Sequence, residues 1–257
     1  MSMNDRHTAF KALHAEGCFV MPNPWDIGSA KVMAALGAKA LATTSSGHAF
    51  TIGKFDMGDV SRDEALAHAA DIVAATDLPV NGDLENGYGL PPEEVVATVR
   101  GAAEAGLSGC GIEDLDYTDG VAPIDFDLAV ERIRAGVDAV KGLGRDFVLT
   151  ARADGVMTGE YDLAEGIRRV QAFAAAGADV VYIPVPPGPE ELAQVIAAVD
   201  VPVNALAVGP MRKLQVSDLA TMGVRRISVG SMIARLTHDV LVNATRGILE
   251  GDLGALK

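Results

Sequence analysis

The sequence predicts an α/β protein folded as a closed (β/α)8 barrel. Short apolar, β-branched runs alternate with helical stretches through eight cycles. The runs are continuously apolar, as parallel strands covered by helices must be. A doubly wound open sheet yields similar cycles. The count of eight, and the lack of a G-x-G-x-x-G after the first run, favour the barrel.

The opening segment MSMNDRHTAFKALHAEG reads as a polar amphipathic helix. Strands are expected at 18–23, 40–45, 79–85, 109–115, 147–153, 179–185, 202–208 and 225–230. Helices are expected at 26–37, 62–76, 91–106, 125–142, 162–177, 188–199, 214–222 and 232–250. The phrases AALGAKALATT, AEAGLSGCGIED, AAAGADVVYIPV and ATMGVRRISVG each close a helix on glycine, which supplies the left-handed C-terminal residue. Ser61 with Glu64, and Asp162 with Glu165, have capping-box spacing. PPEEVV puts proline and acids in a first turn, where the helix dipole favours them. No linker or composition break interrupts residues 1–257, which read as one TIM-barrel domain.

The chain has 257 residues, 49% of them apolar, enough for a full core. Its formal net charge of −14 argues against nucleic acid and against an anionic membrane surface. A small anionic substrate then needs a local cation to receive it. Cys18 and Cys110 sit in apolar runs and read as free buried thiols of a reducing compartment. No charged-then-apolar leader opens the chain, and no apolar run approaches the roughly 20 residues of a membrane span. A cytoplasmic protein is expected.

In a barrel, chemistry sits where the strands end. Strand 3 ends in NGDLENGYG. Acids are scarce in strands and glycines weaken them, so the pattern asks for a reason. Alternation puts Asp83 and Glu85 on one face, and Glu113 leaves strand 4 at a similar height. Three carboxylates in a low-dielectric mouth either hold raised pKa values or gather a cation. Oxygen ligands without His or Cys favour Mg2+, with Mn2+ as the alternative. Gly87 and Gly89 leave room for a tight turn around a ligand.

Arg152 ends strand 5 in TARAD; it either pairs with the acids or clamps a substrate carboxylate. Asp154, two residues on, is placed to orient it, and Asp114 is expected to point into the helix layer. Ser45, Ser46 and Gly47 offer amides and hydroxyls to an oxyanion, or form an ordinary polar turn. His48 either reaches the mouth and moves protons or lies on a surface loop. Asp56 is either an outer metal partner or a solvated loop acid.

PNPWDIGSAKVMAALGAKALATTSSG, LPVNGDLENGYG, AGLSGCGIEDLD and VLTARAD together resemble the isocitrate lyase and phosphoenolpyruvate mutase superfamily. The resemblance covers most of the chain, in order. It implies a (β/α)8 barrel that binds Mg2+ and acts on α-oxo or α-hydroxy carboxylates through an enolate-like oxyanion. By position, Asp83 resembles the main metal ligand. Glu85 and Glu113 resemble acids that hold the ion partly through water, and Asp56 a further outer acid. Arg152 resembles the substrate-carboxylate arginine, and the SSGH turn the segment that holds substrate oxygens. Trp25 and Asn204 resemble pocket walls.

One segment departs from the pattern. The lyases carry a Lys-[KR]-Cys-Gly-His loop after strand 4, and the phosphonomutases a Lys- and Asn-bearing gate. Here DLDYTDGVAPIDFD has no Cys, Lys or Asn. His48, Tyr88, Tyr117 or a metal-bound water are the candidate proton carriers. The resemblance implies a Mg2+-dependent carbon–carbon lyase or decarboxylase on a small di- or tricarboxylate. The alternatives are a phosphonomutase or phosphonopyruvate hydrolase, and a barrel that binds an oxo-acid without turnover. It also implies a homo-oligomer, dimer or tetramer, with residues 232–250 as the helix available for exchange between subunits.

Overall fold

In the computed structural model, which describes residues 3–256, eight parallel strands form one sheet that curls into a barrel. They are β1 (Phe19–Met21), β2 (Leu41–Ala42), β3 (Val80–Asp83), β4 (Gly109–Glu113), β5 (Val148–Arg152), β6 (Val180–Tyr182), β7 (Val203–Leu206) and β8 (Arg226–Ser228). The hydrogen-bonded order runs β1-β8-β7-β6-β5-β4-β3-β2. At the remaining seam the Ala42 amide donates to Pro22 O (3.1 Å), and Asn23 Nδ2 donates to Thr43 O (3.0 Å). Asn23 Oδ1 accepts the amides of Val229 and Gly230, so one side chain ties β1 to both neighbours. The expected eight-stranded barrel is the observed one.

The helices are α1 (Met3–Leu13), α2 (Ile27–Ala35), α3 (Ser45–Thr51), α4 (Arg62–Ala75), α5 (Pro92–Glu104), α6 (Phe126–Lys141), α7 (Gly155–Thr158), α8 (Leu163–Ala176), α9 (Pro189–Ala197), α10 (Val216–Met222) and α11 (Met232–Leu249). Ser61 and Glu64 form the expected reciprocal box at α4. At α8 only half of the box forms: Asp162 accepts from the Glu165 amide. Leu41, Val80, Cys110, Leu149, Val181 and Ile227 are buried in the layer between strands and helices. Cys110 is a buried free thiol; Cys18 is also free but only half-buried.

Phe10 of α1 packs with Phe19, Met21, Val148 and Val180 in a second cluster that closes the barrel floor. Gly109 of β4 is required there. A Cβ at that position would sit 2.5 Å from Val148 O and 3.0 Å from the Phe10 ring. No helix among the described residues is long and apolar enough to cross a membrane.

The strands are shorter than the apolar runs suggest, and this changes the mouth. The 40–45 run becomes a two-residue strand, because Thr44 caps α3 by accepting the Gly47 amide. The SSGH segment is therefore a helix start rather than a turn. The 79–85 run ends at Asp83, and Glu85 takes a left-handed φ of +44°. Alternation fails there, so Glu85 does not continue the Asp83 face.

Candidate active site

The strand ends enclose a cavity of about 230 Å³ lined by Asp56, Asp83, Arg152, Tyr182, Asn204 and Arg226, among others. Asp83 is its organising acid. Its Oδ2 accepts both the amide and the hydroxyl of Ser45, at 2.9 and 3.0 Å. Its Oδ1 lies 2.6 Å from Arg152 Nη1. Thr43 Oγ1 accepts the Asp83 amide at 2.8 Å, which fixes the end of β3.

Arg152 is held from behind by Asp154, Nε to Oδ1 at 3.0 Å and Nη2 to Oδ2 at 2.5 Å. Glu113 Oε2 lies 3.5 Å from Nη2. Burial works against the arginine's charge, but Asp154, Glu113 and Asp83 outweigh it and raise its pKa. Its guanidinium also stands 5.2 Å from the centre of the Tyr182 ring. As expected, Asp114 points the other way, to Tyr161 Oη (2.7 Å) and Arg169 Nη1 (3.0 Å).

The acids were expected to converge on one ion. Among the described residues, no group of three His, Cys, Asp or Glu side chains is placed to ligate a metal together. Glu113 is turned toward Arg152, and Glu85 accepts the Gly58 amide at 2.9 Å on Oε2. Of Asp83, Glu85 and Glu113, it is Asp83 that lines the cavity. The charge pattern still fits a hydrated divalent cation. Glu85 Oε1 is buried without a partner. Burial first, then Asp56 and Asp83, push the Glu85 pKa up to about 7. Burial and Asp83 likewise raise Asp56. Three acids that repel one another around an unpartnered oxygen form a donor set short of positive charge.

The remaining expected residues divide. Ser45, Ser46, Asn204 and Arg152 line the cavity. Ser45 spends both of its donors on Asp83. Asn204 donates to Ser228 Oγ and accepts from Arg226 Nε. Gly47, His48, Trp25 and Tyr88 lie outside that cavity. Gly47 is buried inside α3, where a Cβ would meet the Thr44 and Trp25 side chains. His48 stacks on His68 at 3.8 Å, with Trp25 and His68 lining an adjoining cleft. Burial, then His68, lower its pKa to about 4, and both of its ring nitrogens are buried without a hydrogen-bond partner. Tyr88 lines a neighbouring cleft of about 540 Å³ with Glu85 and Tyr117.

The sequence reading passed over Tyr182 and Arg226. Both were hidden in apolar strands, VVYIPV and VRRISVG. The period-two alternation of a strand was the available signal. Of the two consecutive arginines at the start of β8 alternation places one inside, and here it is Arg226, while Arg225, just before the strand, donates to Gly17 O at the strands' N-terminal end.

A parallel eight-stranded barrel with acids and a pinned arginine at its strand ends carries them where α/β-barrel enzymes place their chemistry. The phosphoenolpyruvate phosphomutase family profile matches residues 10–249, and the chain belongs to that family. A Burkholderia cenocepacia J2315 structure provisionally classed as a lyase or mutase is 44% identical, with a TM-score of 0.89, covering 96% of this chain and 88% of that one. The 2,3-dimethylmalate lyase of Eubacterium barkeri is 30% identical over 75% of this chain and 68% of its own. The oxaloacetate decarboxylase of Paraburkholderia xenovorans is 28% identical over 92% and 81%.

Proposed function

We propose that the protein is a Mg2+-dependent lyase or decarboxylase of small oxo- or hydroxy-diacids. The observation that carries this reading is Asp83, set at the end of β3 between Ser45 and Arg152 on the cavity wall. Asp83 is the residue that would hold the cation, with Asp56 and Glu85 around it and Glu113 behind Arg152. When bound, the cation would supply Lewis-acid polarisation of the substrate's 2-oxo oxygen.

Arg152 orients the adjacent carboxylate, and Asp154 keeps the guanidinium plane from rotating. For an oxaloacetate-like acid the C3–C4 bond breaks and CO2 leaves. The electron pair moves into C2–C3, and negative charge collects on the C2 oxygen. A proton must then return to C3. Tyr182 is the phenol on the cavity wall, and burial raises its pKa so that it stays protonated. We assign that proton transfer to Tyr182 in place of His48 and Tyr88. Retro-aldol cleavage of a 2-hydroxy-diacid runs differently: a base takes the C2 hydroxyl proton, C2–C3 breaks to leave a 2-oxo acid, and the electron pair moves to the carbon beside the other carboxylate, where a proton must return.

The segment after β4 favours this reading over phosphoryl transfer. It folds as a short ribbon, Leu115–Asp116 against Ala122–Pro123, and residues 115–123 contain no Lys or Arg to meet a phosphoryl group. Turnover of oxaloacetate, 2-methylisocitrate, 2,3-dimethylmalate and phosphonopyruvate, with Mg2+ and with EDTA, tests it. Mg2+-dependent pyruvate or other enolate-derived product from one of the carboxylates is expected. Product from phosphonopyruvate alone, or saturable binding with no product from any, overturns it.

A further inference from the structure

We propose that three helix side chains, Arg132 foremost with Thr98 and Arg62, are positioning residues of the cation site: they clamp the turn Glu85–Leu90 by its backbone carbonyls and so set where Glu85 stands. The inference rests on the reading of Asp83 and Glu85 as acids around the cation, and deepens it.

The turn is a conformation that two of its own residues resist. Glu85, Gly87 and Tyr88 take left-handed φ values of +44°, +85° and +63°. Glycine does so freely, whereas the Cβ atoms of Glu85 and Tyr88 crowd the neighbouring carbonyl. Such residues persist where the surrounding structure over-determines them.

Here it does so carbonyl by carbonyl. Leu84 O accepts the Gly87 amide at 2.9 Å, and Glu85 O accepts the Glu113 amide at 3.0 Å. The next five carbonyls are all taken by helix side chains. Arg132 of α6 donates Nη2 to Asn86 O, and Nη1 to both Gly89 O and Leu90 O. Thr98 Oγ1 of α5 donates to Gly87 O at 2.8 Å. Arg62 Nη2 of α4 reaches Gly87 O at 3.3 Å and Tyr88 O at 3.5 Å.

Arg132 is the centre of the clamp. It is only 1% exposed, and Asp116 and Glu94 favour its charge from a distance. Taking a guanidinium out of water is costly, and these three charge-assisted bonds all go to one turn. Arg62, by contrast, is also paired with Glu94 at the surface.

What the turn carries is the cation's surroundings. Glu85 follows Asp83 by two residues, with Oε1 buried and unpartnered and Oε2 on the Gly58 amide. Its carbonyl holds Glu113, and Asn86 Nδ2 donates to Leu115 O at 2.8 Å, so the same turn fixes the start of the segment after β4. Without the side-chain donors, Glu85 and Tyr88 relax toward negative φ. The Glu85 carboxylate then leaves its place beside Asp56 and Asp83, whose charges act on it.

Calorimetry with Mg2+ at fixed ionic strength, and amide hydrogen exchange read by mass spectrometry, test the clamp on the full chain. Arg132→Lys keeps the charge but cannot span three carbonyls. Thr98→Val removes only a buried hydroxyl, so it carries the test where Arg132→Lys fails to fold. In both variants exchange across residues 84–90 should quicken and Mg2+ affinity should fall about tenfold, as for loss of a partner behind a metal's acids. Gly109→Ala, on the barrel floor, should lower the Tm with Mg2+ affinity unchanged, which separates positioning from lost stability. Native Mg2+ affinity in Arg132→Lys overturns the proposal, as does weakened binding with exchange across 84–90 unchanged. That failure is distinct from an absence of Mg2+ binding in the native protein, which overturns the cation reading and the proposal together.

Discussion

Arg152 and Asp154 form a two-pronged pair across two residues of chain, with Nε 3.0 Å from Oδ1 and Nη2 2.5 Å from Oδ2. Asp154 is fully buried, so the pair fixes the guanidinium plane. It leaves Nη1, shared with Asp83, as the edge on the cavity wall. Lysine keeps the charge but cannot reproduce that fork. Arg152→Lys should therefore raise KM for the turned-over acid about tenfold, by the loss of one charge-assisted contact. Steady-state kinetics check this, and an unchanged KM removes Arg152 from substrate binding.

Asp83 ties Ser45 and Arg152 together and is the proposed seat of the cation. Asp83→Asn is expected to lower kcat by about a hundredfold or more, the scale of losing a preorganised electrostatic group. Mg2+ should also raise the Tm of the EDTA-treated native protein with increasing concentration, because binding only the folded state stabilises it. The variant should lose that response while keeping its circular dichroism spectrum. A Mg2+ shift that survives in Asp83→Asn places the ion elsewhere.

Tyr182 faces the cavity with its proton held by burial. Tyr182→Phe removes the hydroxyl and keeps the ring stacked near Arg152. It should reduce kcat by about a hundredfold with little change in KM, as for loss of a general acid. The enolate then has time to take a proton from solvent without facial selection. Deuterium incorporation at C3 that stays stereospecific in the variant assigns the transfer to another group.

His7 and His14 are buried in the barrel floor. His7 pairs with Ser108 Oγ at 2.9 Å, and His14 Nδ1 donates to Phe10 O at 2.8 Å. Burial lowers His7 to about 4 and His14 to about 3, from an ordinary 6.5. The unfolded chain therefore binds more protons than the folded one below pH 6.5. Their contribution is complete above that pH and is lost as pH falls toward the folded values. Each imposes a slope of up to about 1.4 kcal/mol per pH unit in that window. Urea midpoints at pH 5 and pH 7.5 should differ accordingly, and His14→Phe should flatten the difference.

Gly109→Ala would drive a methyl group into Val148 O and the Phe10 ring. The first neighbour is backbone and cannot step aside, so a loss of about 1–3 kcal/mol is expected. Thermal unfolding measures it. A neutral result would mean that α1 moves freely on the floor.

The eight cycles, the helix boundaries near their caps, and the family pattern in GDLENGYG, IED and ARAD were legible in the chain order. Apolar period, glycine stops and capping pairs are local properties, and a barrel simply repeats them. Asp114 and Asp154 were also read correctly, because residues one or two places from a known inward position inherit their direction from strand alternation. Glu85 was not, because a left-handed residue just past the strand end resets that alternation. The place of His48 was hidden for a similar reason: a cap at Thr44 turned the expected loop into a helix and buried the imidazole.

The sequence alone determined a barrel with acids and an arginine at its mouth, since these follow from patterns within single strand–helix units. Only the tertiary structure decided which charges are neutralised and which are left open. Arg152 and Arg226 look alike on paper. Their difference arises because Asp83, Glu113 and Asp154 come from three strand ends around one arginine, while Asn204 and Thr150 surround the other. Coulombic balance in a buried site depends on distances between segments far apart in the chain, and those distances exist only after the sheet has closed.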